Sequence, residues 1–385
     1  MIHYGRHDID QADIDAVVEV LRSDFLTQGP AVPAFEKSVI STCGAKHAVA
    51  VNSATSALHI ACLALGVGKG DLVWTTPITF VASANCALYC GAKVDFVDID
   101  PRTYNLSVER LAEKLTHARK HAELPKVVIP VHLCGQPCDM EGIYDLSRQF
   151  GFRIIEDASH AIGARYRDHP IGDCRYSDIA VFSFHPVKII TSGEGGMALT
   201  NDPQLARRMK LLRSHGISSD LQDMHYRAPE QIWNYQQIAL GFNYRMTDIH
   251  AALGLSQMQR LGEFVSRRHV IAKRYDDMLS DLPVTLPWQH PNSYSAFHLY
   301  VIRLKLGETA KSHRQVYNAL QQAGINVNLH YIPVFRQPYY EQLGFKPGYC
   351  KEAESYFDEC ISIPIYPALT ETQQDQVVKA LREAC

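Results

Sequence analysis

The sequence predicts an α/β protein in which a mostly parallel central sheet is covered by helices, with a smaller C-terminal α+β domain. Two observations support this prediction. Short apolar runs that indicate strands alternate with stretches of helical periodicity between about residues 47 and 184, and such alternation is typical of parallel strands joined by crossover helices. After Leu282 the alternation stops, and proline-rich turns separate one strand candidate from two helices. We therefore predict domains at residues 1–250 and 251–385.

The elements follow in order along the chain. Ile14, Val17 and Leu21 recur at helical spacing, so a helix is expected from about Asp10 to Asp24, with Asp10 as its N-cap. The loop FLTQGP follows it, and then HAVAVN indicates a strand and SATSALHIACLAL a helix. The further strand candidates are DLVWTT, KVDFVDI, KVVIPV, RIIEDAS and DIAVFSF, and the helices between them include FVASANCALYC and MEGIYDLSRQF.

The C-terminal third has a different pattern. A segment from Met246 to about Leu279 contains few helix breakers, so we expect one long helix that crosses between the domains. Beyond it, HLYVIRL indicates a strand, and helices are expected near 312–323 and 370–385. This mixture of strand and helix predicts the smaller α+β domain.

Composition excludes several classes of protein. The 385 residues are 46% hydrophobic with a net charge of -3 and no long run of Lys or Arg, so a nucleic-acid binder is not expected. No stretch reaches the roughly 18 apolar residues of a membrane span, and the amino terminus lacks a signal-peptide pattern, which together predict a cytoplasmic protein. The ten cysteines are expected to be reduced thiols, and their spacing completes no metal site.

Polar residues follow two of the predicted strands, where an open α/β sheet holds its ligand. Asp157 and His160 come after RII, and Ser183 and Lys188 come at and after the end of DIAVF. The turn Gly193–Gly196 lies shortly beyond them. Because these strand ends share one edge of the sheet, we expect a carboxylate, a hydroxyl and an amine to converge there.

These residue types suit pyridoxal phosphate. A carboxylate such as Asp157 can hold a protonated ring nitrogen by a charge-assisted hydrogen bond. Lys188 can bond covalently to an aldehyde if burial lowers its pKa and leaves the amine neutral. The helix that begins after Asn52 offers backbone N–H groups to a phosphate near Ser53, Ala54 and Thr55, and the hydroxyl of Ser183 can add a donor.

Each residue alone also has a purely structural interpretation. Lys188 could be a solvated surface residue, and Asp157 a helix N-cap. Ser53 and Thr55 could cap a helix without any ligand, Phe80 could pack in the core, and His160 could be a hydrogen-bonded structural histidine. The functional hypothesis rests on the whole set lying at the strand ends of one sheet.

The sequence resembles the sugar aminotransferases of the DegT/DnrJ/EryC1/StrS family, which have the fold of fold-type I pyridoxal-phosphate-dependent transferases. The resemblance runs from end to end, and the order and spacing of its fragments make it specific. The fragments are FLTQGP, NSATSAL, TPITFVASANC, FVDIDPRTYNL, VHLCGQP, EDASHAIGA, SFHPVKIITSGEGGM, GFNYRMTDIHAALG and NLHYIPV.

The resemblance implies a role for each matching position. Lys188 would bind the cofactor covalently and move protons, Asp157 would bind its ring nitrogen, and Phe80 would stack on its ring. His160 would lie near the phenolic oxygen of the cofactor. The phosphate would be bound by Ser183, Ala54 and Thr55, and by Asn243 of a neighbouring subunit, which implies a homodimer with shared active sites.

The opening HYGRHDID, the SDFLTQGP loop, SFHPVK and the HYIP segment resemble most the family members that aminate a UDP-linked 4-keto-6-deoxy-N-acetyl sugar in pseudaminic acid synthesis. The resemblance alone implies glutamate as the amino donor. The residues that would then contact the substrate are Tyr4, Leu26, Thr27, Gln28, Gly29, His330, Tyr331, Ile332 and Pro333. Packing of Tyr4 and the loop at a dimer edge is the alternative for these positions.

The sequence disfavours three rival functions. Family members that use pyridoxamine phosphate to remove a sugar hydroxyl have histidine at the position of Lys188, so the sequence disfavours that reaction. A nicotinamide dehydrogenase is disfavoured because HAVAVNSATSAL lacks the glycine fingerprint that follows the first strand. A regulator that binds the cofactor without turnover is disfavoured because no segment indicates DNA binding.

Overall fold

The computed structural model describes residues 1–226, 230 and 234–385. Its helices are α1 (Gln11–Arg22), α2 (Ala31–Cys43), α3 (Ala54–Ala64), α4 (Ala82–Tyr89), α5 (Val108–His121), α6 (Met140–Phe150), α7 (Pro203–Arg213), α8 (Asp248–Met258), α9 (Leu261–Leu279), α10 (His313–Gln322), α11 (Pro338–Gln342), α12 (Lys351–Glu359) and α13 (Glu371–Ala384). Short 3-10 turns lie at Leu133–Gly135 and Val334–Arg336.

The strands divide among several sheets. They are β1 (Ile2–His3), β2 (His47–Val51), β3 (Leu72–Thr75), β4 (Lys93–Phe96), β5 (Val127–Ile129), β6 (Arg153–Asp157), β7 (Arg165–Tyr166), β8 (His169–Pro170), β9 (Ile179–Ser183), β10 (Gly196–Thr200), β11 (Ile217–Ser218), β12 (Gln236–Gln237), β13 (Val284–Thr285), β14 (Ser293–Tyr294), β15 (Tyr300–Leu304), β16 (Ile325–Asn326) and β17 (Cys360–Ile363).

The central sheet has seven strands in the order β2-β10-β9-β6-β5-β3-β4. The strands from β9 to β4 pair in parallel, whereas β10 pairs antiparallel to both β2 and β9. Successive residues of β2 alternate between two cores: Ala48 and Ala50 pack in one hydrophobic cluster, and Val49 and Val51 pack in the other. Helices therefore cover both faces, and the predicted α/β class with a mostly parallel sheet is confirmed.

Local sequence explains where the helices begin. The side chain of Asp10 accepts a hydrogen bond from the backbone N–H of Asp13, and the side chain of Asp13 accepts one from the N–H of Asp10, which forms a capping box at α1. Ser53 caps α3 by a single side-chain hydrogen bond, which its hydroxyl oxygen accepts from the N–H of Ser56. The two expected starts are thus confirmed, and α3 begins next to the carboxyl end of β2.

The single long helix expected from Met246 to Leu279 was wrong. The chain forms α8 and α9 instead, with a break at Gln259 and Arg260. The guanidinium of Arg260 forms ion pairs with the carboxylates of Asp8, Asp10 and Asp13 at 3.3, 3.2 and 2.7 Å. Arg260 therefore ties the amino-terminal segment to the junction between the two helices.

The C-terminal part contains an antiparallel sheet of three strands in the order β13-β15-β17. Residues of α9, α10 and α13 pack with it in a third hydrophobic cluster. Two small sheets join this part to the rest, because β1 pairs with β16 and β14 pairs with β7. The boundary at residue 250 stays a prediction.

Helices long and apolar enough to cross a lipid bilayer do not occur in the part of the chain that the structure describes. All ten cysteines are free thiols. Cys86 lies in α4 and Cys90 caps its end, but Cys134 lies in a 3-10 turn with a positive φ and therefore does not share a helix face with Cys138.

Candidate active site

A cavity of about 910 Å³ opens where β6 and β9 end and α3 begins. It brings together most of the residues that the sequence singled out. Those that line it are Tyr4, Ser53, Ala54, Thr55, Phe80, Asp157, His160, Ser183, Lys188, His330, Tyr331 and Ile332. The amine of Lys188, the carboxylate of Asp157 and the first turn of α3 therefore line the same cavity.

Asp157 is the last residue of β6, and only 4% of it is exposed. Its Oδ1 accepts a hydrogen bond from the backbone N–H of Ser159 at 3.1 Å, and its Oδ2 accepts one from the hydroxyl of Ser83 at 2.6 Å. Two donors therefore fix the plane of a carboxylate that faces the cavity. Such a group can hold a protonated ring nitrogen.

Lys188 lies five residues beyond the end of β9, and its backbone N–H donates to the carbonyl oxygen of His185 at 2.9 Å. The residue is only partly exposed, on the wall of the cavity. Burial lowers the pKa of its amine from 10.5 to about 8, although the nearby charge of Asp157 acts in the opposite direction. Near neutral pH a useful fraction of the amine is therefore uncharged and nucleophilic.

We expect this lowered pKa to control how fast the apoprotein reacts with pyridoxal phosphate. Only the neutral amine attacks an aldehyde, so the rate should rise with pH and level off above about 8, rather than near the 10.5 of an ordinary lysine. Stopped-flow absorbance across a pH series measures this rate. A rate that still rises steeply at pH values near 10 would contradict the assignment, and Lys188→Arg should show no such reaction.

The start of α3 provides donors for a phosphate. The hydroxyl oxygen of Ser53 accepts from the N–H of Ser56 at 3.1 Å, and the first N–H groups of a helix have no partner within the helix. Ala54, Thr55 and the hydroxyl-bearing Ser183 line the adjacent wall. With Asp157 and Lys188, this donor set fits pyridoxal phosphate: the ring nitrogen, the aldehyde and the phosphate of that molecule each have a counterpart.

Gly196 allows α3 to start this close to the sheet. A Cβ atom at Gly196 would lie 2.4 Å from the backbone nitrogen of Ala54 and 2.4 Å from the carbonyl carbon of Ser53. Backbone atoms cannot move aside as a flexible side chain can. Close packing of glycine therefore positions the first turn of α3.

Gly196→Ala is expected to destabilise the protein by about 1–3 kcal/mol and to weaken pyridoxal phosphate binding, because the start of α3 must shift. Thermal unfolding of the apoprotein and a fluorescence titration with the cofactor measure the two effects. Gly262→Ala in α9 is the matched control, since no atom other than those of its chain neighbours and its own helix backbone lies within 4 Å of the added Cβ. Equal cofactor affinity in both variants would refute the role of Gly196.

Three histidines form another wall of the cavity. His160, His298 and His330 are all buried, and the rings of His160 and His298 have centroids 4.3 Å apart. Burial lowers the pKa of His330 to about 3 and holds the pKa values of the other two well below 6.5, and the charge of Lys188 adds to this. The histidines are therefore neutral, and they can donate or accept hydrogen bonds without adding charge.

Phe80 and Tyr331 shape the mouth of the cavity. Phe80 is 59% exposed, so the interpretation of this residue as core packing was wrong. An exposed aromatic ring on a cavity wall is suited to stacking on a bound ring. The hydroxyl of Tyr331 lies 3.2 Å from Nε2 of His160, which links the HYIP segment to the histidine wall.

Some predicted site residues lie outside the cavity of this chain. Asn243 is exposed, and it pairs with Ser214 in an isolated β-bridge. Pro333 is buried at the start of a 3-10 turn. Thus neither contacts the space beside Lys188 in a single chain.

The loop residues Leu26, Thr27, Gln28 and Gly29 are also outside the cavity. Asp248 holds this loop against the start of α8, because its carboxylate accepts from the N–H of Gly29 at 2.8 Å and its own N–H donates to the carbonyl of Leu26. The roles proposed for these loop residues and for Asn243 therefore require a second subunit.

Sequence reasoning missed several residues of the site, of which three bear on its chemistry most directly. Ser83 contacts Asp157, and His298 and Asn328 line the cavity. Asn328 was within the quoted fragment NLHYIPV, but no role was assigned to it. His298 is the first residue of the strand candidate HLYVIRL. A histidine directly before an apolar run was the signal that could have identified it as a site residue.

Comparison with known proteins gives consistent matches. The family model described as the DegT/DnrJ/EryC1/StrS aminotransferase family matches residues 7–382. The spore coat polysaccharide biosynthesis protein SpsC of Bacillus subtilis is 36% identical over 97% of this chain and 95% of its own. The UDP-4-amino-4,6-dideoxy-N-acetyl-beta-L-altrosamine transaminase of Campylobacter jejuni is 36% identical over 95% of this chain and 93% of its own.

Two solved structures show the same fold. The Helicobacter pylori protein PseC, an aminotransferase involved in the biosynthesis of pseudoaminic acid, has a TM-score of 0.90 and 31% identity, and the match covers 100% of this chain and 98% of that one. A protein of Streptococcus pneumoniae described as a sugar aminotransferase, in its PLP form, has a TM-score of 0.88 and 28% identity, with 100% and 98% covered.

Proposed function

The chain belongs to the DegT/DnrJ/EryC1/StrS aminotransferase family, and we propose that this sugar aminotransferase moves an amino group from glutamate to C4 of a UDP-linked 4-keto-6-deoxy-N-acetyl hexose. Pseudaminic acid biosynthesis is the pathway we propose for it. One observation supports the chemistry above all others: Lys188 and Asp157 line the same cavity, beside the donors at the start of α3. The match to the altrosamine transaminase and the likeness to PseC support the choice of sugar.

Several residues that line the cavity have separate roles in the proposed reaction. Bound pyridoxal phosphate supplies an aldehyde carbon that exchanges amino groups and a ring that accepts electrons. Lys188 would hold the cofactor by its aldehyde carbon until the amino group of the donor displaces it, and the freed amine would then carry a proton from the Cα atom of the donor to that carbon. Asp157 would keep a proton on the ring nitrogen. The start of α3 and Ser183 would bind the phosphate, and Phe80 would cover one face of the ring.

The neutral histidine wall suits an uncharged sugar. His330 and Tyr331 line the cavity near Lys188, where they can form hydrogen bonds with sugar hydroxyl or carbonyl groups. Tyr4 lies next to them, with its ring centroid 5.1 Å from that of His330. We propose these residues and Ile332 as the substrate contacts that this chain provides.

A different nucleotide-linked 4-keto sugar is the second candidate. SpsC, which acts in spore coat polysaccharide biosynthesis according to its name, is as similar to this chain as the altrosamine transaminase is, at 36% identity each. Identity of this size therefore favours neither sugar over the other. The choice depends on a direct test of substrates.

The test is to incubate the purified enzyme with pyridoxal phosphate, glutamate and a panel of 4-keto sugars that differ in nucleotide and in stereochemistry. Mass spectrometry detects an amino-sugar product by its mass. Turnover of the UDP-linked N-acetyl sugar in preference to the others would support the proposal. Preference for another nucleotide sugar would favour the second candidate, and no product from any sugar would refute the proposed class of substrate.

We propose a homodimer in which Asn243 of one subunit completes the cavity of the other. Asn243 is exposed and is not part of the cavity lining of its own chain, which supports this arrangement. A mixture of the inactive variants Lys188→Ala and Asn243→Ala, refolded together, should then recover about a quarter of the wild-type activity, since half of the dimers carry one intact site. No recovery above the separate variants would contradict shared sites.

The cytoplasmic location also stays a prediction.

A further inference from the structure

Two buried hydroxyl groups form a chain of hydrogen bonds with Asp157: Ser83 contacts the carboxylate, and Thr79, which also lines the cavity, contacts Ser83. Ser83 in α4 is 0% exposed, and its hydroxyl lies 2.6 Å from Oδ2 of Asp157. Thr79 is 3% exposed, and its hydroxyl lies 2.7 Å from that of Ser83. The three side chains thus form a continuous chain of short hydrogen bonds that ends on the carboxylate.

The direction of these hydrogen bonds follows from counting protons. An ionised carboxylate only accepts, and Oδ2 of Asp157 at 2.6 Å is a nearer acceptor for Ser83 than the carbonyl oxygen of Phe80 at 3.3 Å, so the single hydroxyl proton of Ser83 points at Asp157. The oxygen of Ser83 must then accept from the hydroxyl of Thr79. Donors in series polarise one another, so Thr79 strengthens the bond that Ser83 makes.

Donors of this kind decide where a shared proton resides. When a carboxylate faces a ring nitrogen in a buried site, the proton can lie on the nitrogen, which gives an ion pair, or on the carboxylate, which gives a neutral pair. Hydrogen bonds to the charged carboxylate stabilise the ion pair. Without Ser83, the Oδ2 atom would lose its only side-chain donor among the described residues.

We propose that Ser83, assisted by Thr79, is a positioning residue that keeps the proton on the ring nitrogen of the bound cofactor by stabilising the ionised form of Asp157. This inference rests on the proposed function insofar as pyridoxal phosphate is the group that Asp157 faces. It does not depend on which sugar is the substrate. Ser83 itself does not line the cavity.

The test uses the holoenzyme reconstituted with pyridoxal phosphate that carries a nitrogen-15 label in the ring. In the wild type, the resonance of the ring nitrogen should be that of a protonated pyridine. In Ser83→Ala it should move toward the unprotonated value, as the proton passes to Asp157. The rate of the glutamate half-reaction should fall about 10- to 100-fold while the KM for glutamate changes little, since a hydrogen bond to a charged group is lost.

Two further variants separate this role from a merely structural one. Thr79→Val should shift the resonance in the same direction by a smaller amount, because Ser83 remains. Thr200→Val is the matched control: its buried hydroxyl donates to the carbonyl of Asp178 at 2.7 Å, at the far end of β10, and its removal should leave the resonance unchanged.

A wild-type resonance in Ser83→Ala or Thr79→Val would overturn the proposal, whatever the stability of the variants. If Ser83→Ala fails to fold, the resonance of the ring nitrogen in Thr79→Val alone tests the proposal. A shifted resonance together with no turnover of any sugar would uphold the role of Ser83 and refute only the proposed sugar substrate.

Discussion

Lys188→Ala is expected to lower the rate of amino transfer by at least about 10⁴-fold, because one side chain supplies both the nucleophile and the proton carrier. Alanine leaves the cavity open and removes a buried amine whose pKa is depressed to about 8, so the fold should be kept. The glutamate half-reaction, followed by the change in absorbance of the bound cofactor, measures the effect. Thermal unfolding checks that the variant is folded.

Two comparisons sharpen this prediction. Lys273→Ala removes an exposed lysine of α9 and should retain full activity. A small primary amine added to Lys188→Ala should restore part of the rate, since it can enter the cavity and act as the missing base. Activity of Lys188→Ala within tenfold of the wild type would mean that another group moves the proton.

Asp157→Asn is expected to lower the half-reaction rate by about 100-fold, because a charge-assisted hydrogen bond worth up to about 3 kcal/mol is replaced by a neutral one. The amide has one acceptor oxygen where the carboxylate has two, so if it still accepts from Ser83, the backbone N–H of Ser159 loses its acceptor. The affinity for pyridoxal phosphate should fall as well. Single-turnover kinetics and a cofactor titration measure the two quantities separately.

The control for this substitution is Asp145→Asn, which neutralises an exposed carboxylate in α6 and should change neither quantity. If Asp157→Asn binds the cofactor and reacts as the wild type does, then Asp157 does not hold the ring nitrogen. In that case Ser83 and Thr79 would also not control the protonation of the ring nitrogen.

The central sheet could be predicted because its strands are short apolar runs between amphipathic helices. The position of Asp157 and Lys188 at strand ends followed from the same pattern. The direction of β10 could not be predicted, since the apolar run GMALT is the same in a parallel and an antiparallel strand. The break between α8 and α9 was missed because the residues that pair with Arg260 at the break lie about 250 positions earlier in the chain.

The residues that support the catalytic pair were harder to find. Ser83 lies in a segment correctly predicted as a helix, but periodicity does not show that it contacts Asp157, which is 74 positions away. His298 meets His160 only because the C-terminal part of the chain packs against the central sheet. Contacts of this kind depend on tertiary structure, which local sequence patterns do not encode.

Reduction of the holoenzyme with borohydride, followed by peptide mass spectrometry, tests the central claim most directly. The reagent makes the bond between the cofactor and its lysine permanent, so the modified peptide identifies the attachment site. We predict the mass of the reduced cofactor on the peptide that contains Lys188, and on no other peptide. Attachment to a different lysine, or no attachment at all in protein that binds pyridoxal phosphate, would contradict the assignment of Lys188.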